Sequence, residues 1–338
     1  MECAAAVRAA LVTELTTRWP EGADGLAEMH RYALVPPGKL VRPLLVMWSA
    51  LSVGGDIDQV LPVAVGFEAV HTGSLLHDDI IDGDLTRRGR PAIHSAFGPE
   101  QAIIAGNALF FECFAALGRA ASRGMPDERV VAAMRVQAEA GVTACRGALA
   151  ELSLAGELDT PIEDYVAVAR AKTAALTRAA CMVGALLGGG RSAEVHALAT
   201  FGEHYGLAFQ FHDDLLPYAQ INPSGAAGTD KPADSDLRNH RPTLPVLLAH
   251  QRGSTIQRDM LRQVLLGPGD PGIRLARMCE LVQATGALTA AQAMVAVHTR
   301  QALNALNLVP ASVFRTRLAD LATSSGDDTA VDSDALAI

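Results

Sequence analysis

Between His71 and Pro91 the sequence HTGSLLHDDIIDGDLTRRGRP sets four aspartates, Asp78, Asp79, Asp82 and Asp84, beside the adjacent arginines Arg87 and Arg88. If the helical pattern before them continues, Asp78 and Asp82 lie four residues apart on one face, with Asp79 about a quarter turn away. Like charges at that spacing repel, so a segment that keeps them predicts a cation. Carboxylates with no cysteine suit a hard ion such as magnesium, with Asp78, Asp79 and Asp82 as ligands. Arg87 and Arg88 offer the planar donors that a diphosphate takes in pairs.

An acidic helix face is commonly just solvated, but here a second acid pair appears far downstream. Asp213 and Asp214 in FQFHDDLL again follow an apolar helical run, through Phe201, Leu207, Phe209 and Phe211. Two such ends facing one cavity would clamp the same phosphate group from opposite sides.

The elements that must position these residues are helices. The 338-residue chain is 49% apolar and only 4% aromatic, rich in alanine and leucine, a balance that favours helix over strand. We expect an all-α fold: one helical domain over residues 1–322, then a mobile acidic tail over 323–338. The net charge of −9 argues against nucleic acid or an anionic membrane as main partner. Cys3, Cys113, Cys145, Cys181 and Cys279 are scattered without metal-type spacing and read as reduced residues of a cytoplasmic protein. The first residues lack the pattern of a signal peptide, and no uninterrupted apolar run reaches spanning length, so a soluble protein is expected. Thr160-Pro161-Ile162-Glu163 predicts a capping box, Ser192 a further cap, and Gly188-Gly189-Gly190 a helix stop.

In its motifs and their order, from about Tyr32 to about Ala322, the chain resembles the trans-isoprenyl diphosphate synthases, the polyprenyl synthetase family that includes farnesyl and geranylgeranyl diphosphate synthases. The resemblance implies an isoprenoid-synthase bundle, commonly a homodimer, that holds about three magnesium ions per site. It implies that Lys39 and Arg42, in the Gly-Lys-x-x-Arg-Pro run, bind the diphosphate of isopentenyl diphosphate together with His71 and Arg88. Arg87, Lys172, Thr173 and, in the downstream loop, Lys231 and Arg241 would grip the allylic diphosphate. Asp213, reached by the helix that also brings Gln210 and Asp214, would be the principal ligand of the third metal.

The expected reaction is head-to-tail prenyl transfer. Lys172, Lys231 and the carboxylates Asp78, Asp79, Asp82, Asp213 and Asp214 would act at the departing diphosphate, and isopentenyl diphosphate would attack the allylic cation. Chain length should follow pocket depth below the first motif. Gly73 and Ser74, five and four residues before Asp78, are small, whereas Phe110 and Phe111 on the neighbouring helix offer a floor; geranylgeranyl diphosphate is favoured over farnesyl or geranyl diphosphate. Asn107 replaces a usual aspartate, Ala148 a glutamine, Pro217 the third aspartate of the second motif, and Arg241 a lysine. The rival readings are a class I terpene cyclase, a metal phosphohydrolase and a non-catalytic partner subunit.

Overall fold

A computed structural model describes residues 2–22, 24–219 and 234–324. In chain order the elements are α1 (Glu2–Arg18), α2 (Gly25–Leu34), α3 (Val41–Ser52), α4 (Ile57–Asp82), β1 (Thr86–Arg87), β2 (Arg90–Pro91), α5 (Ile93–Phe97), α6 (Pro99–Ser122), α7 (Asp127–Ser153) and α8 (Ile162–Ala169). A π-helical turn (Arg170–Ala174) joins α8 to α9 (Ala175–Leu187). There follow α10 (Ser192–Ala219), α11 (Ser235–Arg238), α12 (Leu244–Arg252), α13 (Thr255–Leu266), α14 (Pro271–Ala284), α15 (Ala287–Ala305) and α16 (Val313–Ser324). Among the described residues the chain is all-α, as its composition predicts, apart from one short hairpin that no periodicity announces.

Helix α4 runs unbroken through the first three aspartates of the acidic segment. Asp56 caps its start, accepting from the Gln59 N–H at 3.1 Å, and Gly83 ends it at φ +66°, a backbone that only glycine adopts without strain. It packs closely on α6 because both present glycines. A Cβ at Gly73 would stand 2.9 Å from the Gly106 carbonyl oxygen, and one at Gly66 2.9 Å from Ala116 Cβ.

Two apolar cores result. The first gathers α3, α4, α6 and α9 around Met47 and Phe67; the second gathers α12 to α15 around Leu247, Leu261 and Val282. Helix α10 belongs to both, giving Phe201 and Tyr205 to one and Leu207 and Phe211 to the other. Burial of each such aromatic stabilises the fold by about 2–3 kcal/mol, so the helix carrying the second acid pair is anchored on both sides of it.

Several local expectations are corrected. Thr160 forms no capping box: its hydroxyl donates back to the Glu157 carbonyl at 2.7 Å, and α8 starts after Pro161 without a side-chain cap. Nor does Ser192 cap α10; Glu194 instead accepts from the Arg191 N–H at 2.7 Å. Helix α6 is long and apolar enough to cross a membrane, although no uninterrupted apolar run of that length was expected. Its average hides two faces, one packed on α4 and one bearing exposed Ile103, Ile104 and Phe111. Of the cysteines, Cys113, Cys181 and Cys279 are buried and free, while Cys145 is exposed. Helix α16 continues through Ser324, two residues into the stretch expected as tail; the remainder of that tail lies outside the described residues.

Candidate active site

At the C-terminal end of α4 nearly every acid meets an arginine. Arg87 clamps Asp79, its Nε donating at 2.7 and 3.0 Å to the two carboxylate oxygens and its Nη2 at 2.5 Å. Arg241 grips both oxygens of Asp82, one at 2.8 Å. Asp84 is fully buried, accepting from Ser235 Oγ at 2.9 Å and from Arg238. Asp78 differs: burial raises its carboxyl, and its strongest electrostatic partner is Lys172. Lys172 donates to Glu151 at 2.5 Å; burial pulls its ammonium down, but Glu151 and Asp78 prevail and the net shift is upward. Glu151 also lies 3.7 Å from Arg241 Nε, so three helices share one network of alternating charge.

A second basic group forms around α3 and the hairpin. The hairpin turns on Arg88, at φ +51°, and Gly89, at φ +71°. A bulky residue in that region is uncommon and strained by about 1 kcal/mol or more. Tyr32 fixes the hairpin, its hydroxyl donating to the Pro91 carbonyl at 3.0 Å and its ring 3.9 Å from the Arg90 guanidinium carbon. The Arg88 guanidinium lies where Gly38 leaves room; a Cβ there would stand 2.7 Å from Nη2. Lys39 follows directly, and Leu40, at φ +56°, turns the chain into α3. Arg42 is pushed down by burial but keeps its charge through Glu68, Tyr205 and Asp213, and among the described residues its Nε–H is a buried donor without an acceptor. A buried orphan donor marks a place for an anion. His71 is held well below its usual value by burial and then by Arg42, Arg88 and Arg87, so the free imidazole is neutral.

These influences link the two acidic ends. Arg42 feels Asp213, His71 feels Arg42 and Arg87, and Arg87 holds Asp79. On the α9 side the π turn presents Lys172 and Thr173, and helix α7 can approach it only because residue 147 is glycine: a Cβ there would lie 2.3 Å from the Lys172 nitrogen. Such turns mark functional sites more often than stability explains. Thr173 Oγ donates to Gln210 Oε1 at 2.6 Å, and Gln210 Nε2 donates to Asp214 Oδ1 at 2.9 Å. Asp214 thus turns from its neighbour into the core, accepting also from Tyr165 and from the Leu244 N–H at 3.0 Å. Burial raises its carboxyl to about 6 against those donors. Pro217 leaves α10 helical to Ala219, and its carbonyl accepts from Cys279 Sγ at 3.6 Å. Lys231 lies outside the described residues.

The residues expected to set chain length separate. Gly73 is packed against Leu109 and Phe110 of α6; Ser74 donates to the His71 carbonyl at 2.8 Å. Phe110 meets the His77 ring edge-on at 5.3 Å, whereas Phe111 is 73% exposed, because neighbours on a helix diverge by a quarter turn or more. The sequence reading missed four partners: Glu68, Glu151 as the shared acceptor, Tyr165, and the Ser235–Arg238 clamp. Glu68 had a signal, one acid in an apolar helix three residues before His71; the clamp had none.

The donor set suits a hard cation, being carboxylate oxygen throughout. Among the described residues no three such groups stand ready around one point. Comparison with known proteins agrees with this chemistry. Residues 23–272 match the polyprenyl synthetase family model. The chain is 36% identical to a short chain isoprenyl diphosphate synthase of Methanothermobacter thermautotrophicus over 299 residues, covering 88% of this chain and 89% of that one. It is 32% identical to a geranylfarnesyl diphosphate synthase of Aeropyrum pernix, covering 85% and 89%. A crystal structure of polyprenyl synthase from Caulobacter crescentus, complexed with calcium and isoprenyl diphosphate, superposes with a TM-score of 0.85 at 29% identity, covering 98% and 96%. By that family match and these relatives, the chain belongs to the polyprenyl synthetase family, the trans-prenyltransferases that make isoprenyl diphosphates.

Proposed function

We propose that the protein condenses isopentenyl diphosphate with an allylic diphosphate, head to tail and with magnesium, to a short all-trans prenyl diphosphate, geranylgeranyl diphosphate being favoured. The observation that supports this is that both acidic helix ends reach the same π turn, Asp82 through Arg241 and Glu151 to Lys172, and Asp214 through Gln210 to Thr173. One diphosphate needs one set of basic residues; the orphan donor of Arg42, with Lys39, Arg88 and neutral His71, offers a place for another. A cyclase, which takes a single diphosphate, would have no use for it.

Magnesium, when bound, supplies the positive charge that stabilises the leaving diphosphate. Asp78, Asp79, Asp82 and Asp213 would hold it. Arg87 and Lys172 stand to bind the allylic diphosphate and neutralise the charge that grows on it as the carbon–oxygen bond breaks, joined by Lys231. Lys39, Arg42, His71 and Arg88 orient isopentenyl diphosphate, the His71 imidazole able to accept or donate as the diphosphate requires. The double bond then attacks the allylic carbon, and the released diphosphate takes the final proton. Apolar walls keep water from the cation.

We further infer a cytoplasmic homodimer, the second copy covering the exposed apolar residues Ile103, Ile104, Phe111 and Phe114 of α6 and Met134 of α7. Sedimentation should show a dimer that Phe111→Glu dissociates. Turnover is tested with magnesium, isopentenyl diphosphate and each allylic primer in turn, the product identified by mass. One dominant prenyl diphosphate is expected. Hydrocarbon from primer alone would establish a cyclase, and silence with every primer a non-catalytic subunit.

A further inference from the structure

The dipeptide Asp213-Asp214 splits its labour. Asp213 lies in the field of Arg42. Asp214, 7% exposed, faces the opposite way and is saturated by donors from three elements: Tyr165 of α8, Gln210 one turn earlier on α10, and the first backbone N–H of α12 at Leu244. Gln210 passes the order outward, since its other amide atom accepts from Thr173 in the π turn.

Every hydrogen in this series has one sensible direction. Tyr165 and Leu244 can only donate to a carboxylate, so Gln210 must turn its amine toward Asp214 and its carbonyl toward Thr173. The Thr173 hydroxyl proton is thereby committed, and with it the rotamer of a side chain inside a non-α turn that ordinary helical bonding does not fix. Two close contacts leave the turn no slack. A Cβ at Gly147 would overlap Lys172 on one side, and one at Gly206 would come within 2.2 Å of Thr177 Oγ1 and 2.7 Å of Ala174 Cα on the other.

We propose that Tyr165 is a positioning residue. Acting through Asp214 and Gln210, it sets the Thr173 hydroxyl and the register of Asp213, both of which would face the allylic diphosphate, while touching no substrate itself. Its side chain is 9% exposed and packed on Phe211. A tyrosine needed only to fill the core would serve as well as phenylalanine. One needed to orient Asp214 would not. The proposal rests on the function proposed above, since it assumes a diphosphate at Thr173.

The test is a double-mutant cycle of Tyr165→Phe and Thr173→Ala, read as binding of inorganic diphosphate with magnesium by calorimetry. The KM values of primer and isopentenyl diphosphate are measured alongside. Tyr165→Phe should weaken diphosphate binding roughly tenfold, the loss of one hydrogen bond to a charged group. The primer KM should rise with it, and the KM of isopentenyl diphosphate should stay within about twofold, because its basic group shares no member of the series. In the double variant the two losses should fall short of their product, since each breaks the same series. Losses that multiply fully, or Tyr165→Phe binding like the wild type, would overturn the positioning role. Wild-type protein that takes up no magnesium and diphosphate would instead overturn the function on which it rests. If Tyr165→Phe does not fold, Gln210→Leu breaks the series at a half-buried link, and the same cycle with Thr173→Ala decides by the same criterion.

Discussion

The two acidic ends use the same dipeptide in opposite ways. At α4 the buried carboxylates are neutralised by arginines: Arg87 on Asp79, Arg241 on Asp82, Arg238 on Asp84. At α10 Asp214 is held by uncharged donors, Tyr165, Gln210 and the Leu244 N–H. A guanidinium can be exchanged for a metal ion, one cation for another. A tyrosine hydroxyl and a backbone amide cannot. The first end is thus built to change partners and the inner half of the second to stay fixed.

Substitutions at the two ends should therefore fail in different currencies. Asp78→Ala should reduce turnover by roughly a thousandfold or more while leaving the melting temperature and helical signal unchanged, as comparison of steady-state rates with thermal unfolding will show. Normal turnover in that variant would remove the first end from the chemistry. Asp214→Ala should instead destabilise the protein by about 3 kcal/mol, because Tyr165 and Leu244 lose a buried acceptor; denaturant unfolding measures this. A stability equal to wild type would erase the distinction.

Smaller changes sharpen it. Gly147→Ala, which places a methyl against Lys172, should lower primer kcat/KM by roughly ten- to a hundredfold, an overpacking cost of about 1–3 kcal/mol expressed at the π turn. Arg88→Gly should relieve left-handed strain and leave stability unchanged or higher by up to about 1 kcal/mol, while raising the KM of isopentenyl diphosphate. A fall in stability with the KM unchanged would show that Arg88 holds the hairpin instead of the substrate.

The mildest effect is one of pH and lies behind α10. His204 and His298 approach with Nδ1 atoms 3.0 Å apart, and burial, then His204 and Arg170, push His298 down to about 4. The folded protein keeps His298 neutral where the unfolded chain takes up a proton. Stability should therefore be complete above the ordinary histidine value, about 6.5, and decline as pH falls from there toward 4. Thermal unfolding of His298→Gln should show a shallower decline over that window.

Much of this was legible in the chain itself. The apolar period before Asp78 and before Asp213 predicts two buried helices that end in acids, and Arg87, Lys172 and Arg241 pair with Asp79, Glu151 and Asp82. What escaped has a physical reason. The π turn at Arg170–Ala174 reads as ordinary helix, because one inserted residue leaves the apolar pattern nearly intact. Thr160 and Ser192 have cap chemistry, but the backbone donors were met otherwise. Asp214 looks identical to Asp213 in sequence; only the packing of Tyr165 and α12 separates them.

The arginines on Asp79 and Asp82 act as stand-in counterions whose departure uncovers groups of the opposite sign. Were a divalent ion to take over those carboxylates, Arg87 and Arg241 would be released toward a phosphate, and a phosphate claiming the arginines would free the carboxylates for metal. Each ligand prepares the other's berth, so the two should show reciprocal linkage, magnesium tightening diphosphate by the same factor that diphosphate tightens magnesium. Titration of either with the other held fixed reads that factor, and two independent affinities would contradict the exchange.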